Sequence, residues 1–239
     1  MNHLHFVDKY GSFTMDKPEN VSYLYFPLAS ETGLKSSLTP NLGGDAKIDQ
    51  ETFLLEPVSA ENLHSNRGVR NFWLVDEDGQ AFSVSGASAR QEADRFTPAQ
   101  DDSRLTAGLM WQTVERTAQD LGLDTEVTAF CPRQDNVEIL CITVRNQQEQ
   151  PRWLTPIAAV PLYGRSADNI RDHRNVTSML HRIWTTENGV MVRPTMSFDE
   201  RGHRPNHKVY YVEGFGPEGQ KPEAVSYTHL RAHETTLHL

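Results

Sequence analysis

The feature that most constrains this chain is its punctuation: short β-prone segments succeed one another, each closed by Gly, Pro, Asn or Asp. Residues 108–118 read as a strand carrying Leu109, Met110, Trp111 and Val114, and residues 121–124 (Leu-Gly-Leu-Asp) read as a turn. In 125–131, Val127, Ala129 and Cys131 alternate with Thr128 and Phe130, the period of a strand with one buried face. After a polar connection at 132–136 comes Val-Glu-Ile-Leu-Cys-Ile-Thr-Val (137–144), which is apolar on both faces and predicts a central strand covered on both sides. A loop at 145–151 and a strand over 153–162 follow. Asn188-Gly189 is a hairpin signal joining 178–186 to 190–198, and 208–215 closes the series. Regular short strands with few helical periods predict an all-β fold, an antiparallel sandwich with few short helices. Trp111, Trp153 and Trp184 then belong in or near the core. The competing reading is an α+β domain with a helix over 169–183.

Composition narrows the function. The 239 residues carry 32 acidic and 23 basic side chains, a net charge of −9, so no cationic surplus is available to neutralise phosphodiesters or anionic lipid. That excludes nucleic acid and membrane as partners. No apolar run approaches a bilayer span and no signal segment opens the chain, so a cytoplasmic protein is expected. Two cysteines make neither a disulfide framework nor a structural zinc site. In a hairpin centred near Gln134, Cys131 falls opposite Val137 and about four residues from the partner of Cys141. At ~3.4 Å per residue the sulfurs cannot bond, and both are expected as buried thiols.

The last residues form a separate case. Residues 225–235, Val-Ser-Tyr-Thr-His-Leu-Arg-Ala-His-Glu-Thr, resemble a translated sequencing adaptor. The expected native domain is therefore 1–224, with 225–239 an adaptor-derived tail set aside from fold reasoning. His229, His233 and His238 go with it, and the His229/His233 helical spacing is no metal site.

Two polar clusters interrupt the strand pattern. Residues 163–174 (Tyr-Gly-Arg-Ser-Ala-Asp-Asn-Ile-Arg-Asp-His-Arg) hold Arg165, Arg171, Asp172, His173 and Arg174, groups that grip sugar hydroxyls or phosphate bidentately. The same charges suit a salt-bridged loop or a subunit contact equally well. Residues 198–203 hold Asp199, Glu200, Arg201 and His203. Asp199 and Glu200 are adjacent, so on a strand they face opposite ways and cannot flank one glycosidic bond. His203 and His207 share one short segment, but Pro205 forbids the helix that would join them around a metal. The glycine turn at 38–45 lacks the Lys and Ser/Thr of a phosphate loop. Arg67 and Arg70, beside Phe72 and Trp73, suit sugar stacking or a sheet edge.

Taken together, Tyr-Phe-Pro-Leu-Ala (25–29), Ser-Leu-Thr-Pro-Asn-Leu-Gly-Gly-Asp (37–45), Phe-Leu-Leu-Glu-Pro-Val-Ser (53–59), Arg-Asn-Phe-Trp (70–73), residues 163–174, Leu-His-Arg-Ile (180–183) and 198–203 resemble one family. This is the N-terminal part of glycoside hydrolase family 94, formerly glycosyltransferase family 36: the cellobiose, laminaribiose and β-oligoglucan phosphorylases. The resemblance spans roughly Tyr10 to Glu223. It implies a galactose-mutarotase-like β-supersandwich, followed in the family by a helical linker, an (α/α)6 barrel and a small β-domain, so that this chain is a truncated front end. It implies inverting phosphorolysis of β-linked gluco-oligosaccharides to α-glucose 1-phosphate, with inorganic phosphate as co-substrate and no cofactor. The family's acid, an Asp, and its phosphate-binding residues come from the barrel, so no catalytic residue and no metal site is expected here. β-Glucan and phosphate would be met through the barrel, and the whole protein would be a homodimer. Arg165, Arg171, Asp172, His173, Arg174, Asp199, Glu200, Arg201 and His203 are then candidates for barrel or dimer contact, or for lining the acceptor side. The alternative is a free-standing carbohydrate-binding sandwich, marked by an exposed aromatic platform.

Overall fold

A computed structural model describes residues 4–21, 24–59, 70–170, 178–199 and 202–225. The regular structure of the described residues is almost entirely strand, in antiparallel ladders, with one short helix (Ala89–Asp94), a helical pair at 178–179 and three 3-10 turns. Ser88 starts that helix with a reciprocal cap, its side chain meeting the Gln91 amide while Gln91 reaches back. None of these helices is long and apolar enough to cross a membrane. The chain divides into two compact units, Met1–Asp45 with Val58–Val160, and Ala46–Pro57 with Pro161–Leu239.

In the first unit a six-stranded sheet runs in the order Leu4–Phe6, Phe13–Asp16, Asp102–Gly108, Trp111–Ala118, Leu123–Phe130, Ile139–Asn146. Its central strands alternate strictly between buried and open positions. Leu105, Ala107, Val114, Val127 and Ala129 lie at 2% exposure or less. Burying each large aliphatic side chain contributes roughly 1.5–3 kcal/mol, and a one-residue slip would turn the whole row to water. Val127 and Ala129 share a core with Leu74 of Asn71–Val75, with Phe82 of Ala81–Ser83, and with Leu28 and Leu38 of the Phe26–Ala29/Lys35–Leu38 hairpin, while Leu105, Ala107 and Val114 cluster with Phe26. Sheet faces sheet over this core, as the sandwich reading predicts.

Several local expectations change. The strand predicted over 108–118 begins only at Trp111. Gly108 pairs with Trp111, and Leu109-Met110 form a tight turn with Met110 at φ +63°. Ile139–Asn146 is the outermost strand of the described sheet and pairs only with Leu123–Phe130, so it is not central. Leu140 and Ile142 pack on the core, whereas Cys141 and Val144 are exposed. A β-branched run fits an edge as well as a centre, because propensity reports the pleat and not the number of neighbours. Phe130 pairs with Ile139, so the register sets Cys131 opposite residue 138 rather than 137. Both thiols are free, as predicted, but Cys131 is only half-buried and Cys141 is exposed. Trp153 (77% exposed) and Trp184 (41%) lie outside the core, the first in a loop and the second on an open sheet face, and Trp111 is half-buried. The stretch 70–73 does not form a sheet edge: Asn71–Val75 is the middle of its three-stranded sheet.

In the second unit, His181–Thr185, Gly189–Pro194 and Tyr210–Glu213 form a three-stranded sheet with Gly189–Pro194 in the middle. The Asn188-Gly189 hairpin forms as expected, and Gly189 has a reason: a Cβ there would stand 1.9 Å from the Val212 carbonyl oxygen. The second arm ends at Pro194, and Met196–Asp199 pairs instead with Gly202–Pro205. Ala46–Asp49 and Thr52–Phe53 form a bulged hairpin. The helix considered over 169–183 does not run that whole length, although residues 178–179 are helical. Ala167–Ile170 is a 3-10 turn and His181–Thr185 a strand, while 171–177 lie outside the described residues. Residues 226–239 also lie outside them.

Candidate functional site

Of the polar cluster predicted at 163–174, residues 163–167 form a strap along Thr52–Phe53 in the second unit. Tyr163 N–H donates to Leu54 O (2.7 Å), Phe53 N–H to Arg165 O (3.0 Å), and Ala167 N–H to Gln50 O (2.9 Å). These three bonds fix Arg165, which is buried. Its Nε donates to Tyr163 O at 3.1 Å, and its guanidinium lies 4.1 Å from the centre of the Tyr163 ring. Tyr163 Oη in turn donates to Ser166 O (3.0 Å), and Ser166 Oγ to Asn169 Oδ1 (3.0 Å). A cation held on an aromatic face and by a carbonyl is a stable way to keep charge below the surface.

Two titratable side chains pack around Gly164 in the same unit, and a Cβ at that glycine would stand 3.5 Å from both His181 Cε1 and Tyr210 Cδ2. Burial, with the Arg165 charge adding to it, pulls the His181 imidazole down to about 4, and its Nε2 has no hydrogen-bond partner. Burial also pushes the Tyr210 phenol well above its usual range. Its Oη lacks a well-formed hydrogen bond, although the Thr52 hydroxyl lies near enough to offset part of the cost. At neutral pH both rings are uncharged beside the Arg165 cation.

The second predicted cluster is a hairpin, Met196–Asp199 against Gly202–Pro205. Asp199 pairs with Gly202, and His203, exposed, pairs with Phe198. Next to it Arg204 reaches Glu51 Oε1 at 2.7 Å. The extended His203 segment agrees with the expectation that Pro205 keeps His203 and His207 off a common helix face. Arg171, Asp172, His173, Arg174, Glu200 and Arg201 lie outside the described residues, as do 64–69 near Arg67. No group of three His, Cys, Asp or Glu residues suited to a metal is found among the described residues.

Arg70, considered above for sugar stacking, has a structural role in the first unit. It is 3% exposed, with Nε 2.5 Å from Glu138 Oε1, and Nη2 donates to Glu138 Oε2 (2.9 Å), Ser36 Oγ (2.9 Å) and Asp45 O (3.2 Å). Nη1 donates to Leu42 O and Gly43 O, so the guanidinium ties together the whole glycine turn at 38–45. A sequence model described as "Glycosyl hydrolase 94, supersandwich domain" matches residues 46–227. The chain belongs to glycosyl hydrolase family 94. The antiparallel, nearly helix-free architecture agrees with the supersandwich of that family. The matched stretch starts later than the resemblance read from Tyr10, and it takes in both polar clusters. No curated protein matches the chain.

Sequence reasoning missed a third group. Arg182, Arg193, Thr195, Asn206 and His207 line an open pocket of about 310 Å³ in the second unit. Its legible signal is the Asn188-Gly189 turn, which sets Arg182 and Arg193 on one face of the hairpin.

Proposed function

We propose that this family 94 chain is the sandwich portion of an inverting β-glucoside phosphorylase. In that reaction a carboxylic acid protonates the glycosidic oxygen while inorganic phosphate attacks the anomeric carbon from the opposite face. The C–O bond to the leaving sugar breaks, and α-glucose 1-phosphate forms beside a shortened sugar. The reading is carried by the family match over 46–227. The acid and the phosphate ligands belong to the barrel, and this domain supports that barrel, the dimer contact and the active-site rim. Arg171, Asp172, His173, Arg174, Asp199, Glu200, Arg201 and His203 make those contacts, and Arg165 is fixed in the strap along Thr52–Phe53. No cofactor takes part, and the cytoplasm is the compartment of action.

The test is phosphorolysis. Joined to a family 94 barrel, the domain supports phosphate-dependent release of glucose 1-phosphate from laminaribiose or cellobiose. In that protein Arg171→Ala or Arg174→Ala lowers dimerisation, acceptor affinity or melting temperature. Unchanged kinetics, assembly and melting in both variants would remove the contact assignment. Release of glucose 1-phosphate by the 239-residue chain alone would remove the proposal. A carbohydrate-binding module is the second reading, favoured by Trp153 at 77% exposure. Retardation of the chain in laminarin gels, lost in Trp153→Ala, distinguishes it.

A further inference from the structure

The three-stranded sheet of the second unit places like charges side by side. Arg182 lies directly opposite Arg193 in the antiparallel ladder, on the same face. Such a pair is destabilising unless something negative sits between the two guanidinium groups. Arg193 Nη2 is 3.3 Å from His207 Nδ1. Arginine can only donate, so Nδ1 accepts and the imidazole carries its proton on Nε2, a further donor. Elsewhere this acidic chain supplies counter-charges readily: Arg70, Arg104, Arg116, Arg133, Arg152 and Arg204 each meet a carboxylate. Among the described residues, Arg182 and Arg193 meet none.

The pocket walls are set in place beforehand. Thr195 Oγ1 donates to Leu180 O (2.8 Å), Asn206 N–H to Thr195 O (3.0 Å), and Asn206 Nδ2 to Ser197 Oγ (2.7 Å). Lys208 N–H donates to Asn206 Oδ1 (2.9 Å). Two guanidinium forks and an imidazole N–H around about 310 Å³ form a set of donors for a tetrahedral oxyanion. The same face continues into an aromatic row. Trp184 pairs with Met191 and Met191 with Tyr211 across all three strands, and both Trp184 and Tyr211 are 41% exposed. Trp184 is two residues from Arg182, and Met191 two from Arg193, which puts the row ~7 Å from the arginine pair. That is about one pyranose ring.

We infer that the Arg182–Arg193–His207 pocket and the adjoining Trp184–Met191–Tyr211 row bind a phosphorylated hexose, the phosphate between the arginines and the ring against Trp184. The site rests on the sheet itself and stands or falls separately from the phosphorolysis reading. Isothermal titration of the 239-residue chain with glucose 1-phosphate, glucose 6-phosphate, inorganic phosphate and glucose tests it. At least one hexose phosphate binds ~10-fold or more tightly than inorganic phosphate, and glucose gives no heat. Arg182→Ala and Arg193→Ala each weaken that binding at least ~10-fold, and Arg193→Lys, which keeps the charge but loses the fork, weakens it too. Trp184→Ala lowers hexose phosphate to the affinity of inorganic phosphate, and Arg133→Ala in the other unit changes nothing. These side chains are exposed, so the variants keep the wild-type circular dichroism and lose no thermal stability. Absence of hexose phosphate binding, equal affinity for inorganic phosphate, or binding indifferent to both arginine changes overturns the inference.

Discussion

Lowering the pH from 7.5 to 4.5 should remove a distinct share of the protein's stability at His181. Its imidazole is buried with an unsatisfied Nε2, and burial with the nearby Arg165 charge pulls it from 6.5 down to about 4. Between those values the unfolded chain takes up a proton that the folded chain refuses. Stability from this group is therefore complete above about 6.5, is lost as the pH falls towards 4, and levels off below that. At about 1.4 kcal/mol per pH unit, roughly 2 kcal/mol is gone by pH 4.5, with allowance for the ring's residual solvent contact. Urea denaturation of wild type and of His181→Gln at several pH values isolates the term, because the remaining histidines cancel in the difference. The expected result is a gap between the two proteins that moves by roughly 2 kcal/mol in favour of the variant between pH 7.5 and 4.5. The His181 ring proton, followed by NMR, should titrate well below 6. A gap that stays constant, or a ring that titrates near 6.5, refutes the burial argument.

Other consequences follow from the first unit. Arg70→Ala strands Glu138 as a buried unpaired carboxylate and should cost ~3–5 kcal/mol in urea unfolding, whereas Arg70→Met with Glu138→Leu recovers most of the loss. Gly44 sits at φ +109° with the Ser37 carbonyl oxygen 2.0 Å from where a Cβ would be, so Gly44→Ala should cost at least about 2 kcal/mol and lower the melting temperature. Burial pushes the Cys131 thiol up to about 11, with Glu138 adding to it, while Cys141 is exposed. At pH 8 an aromatic disulfide reagent should therefore titrate one thiol per folded chain and two after unfolding, and Cys141→Ser should abolish the fast reaction.

Much of the strand pattern was legible because alternation is a direct consequence of the pleat. Val127 and Ala129 turn inward and Thr128 and Phe130 outward, as the residues of 125–131 require. The clusters at 163–174 and 198–203 stood out because strands have no local use for so many charges. What stayed hidden was which partner each charge finds. Arg70, next to Phe72 and Trp73 in sequence, looked ready for a sugar, yet it spends its donors on Glu138, Ser36 and the turn at 38–45. Arg165 read as a ligand or interface contact, and it is buried with its guanidinium on Tyr163.

Sequence alone determined the class: turn residues at short intervals, β-branched runs and period-two alternation leave an antiparallel sandwich as the consistent solution, and the motif set identified the family. Tertiary structure decided the neighbours. It set Ile139–Asn146 at the end of its sheet, left Trp153 and Trp184 in solvent, and brought Arg182 opposite Arg193 through a hairpin loop longer than Asn188-Gly189 alone. The physical reason is that alternation is local and fixes which face a side chain takes. Ladder order and register arise from contacts distant in sequence, and those fix what the face meets.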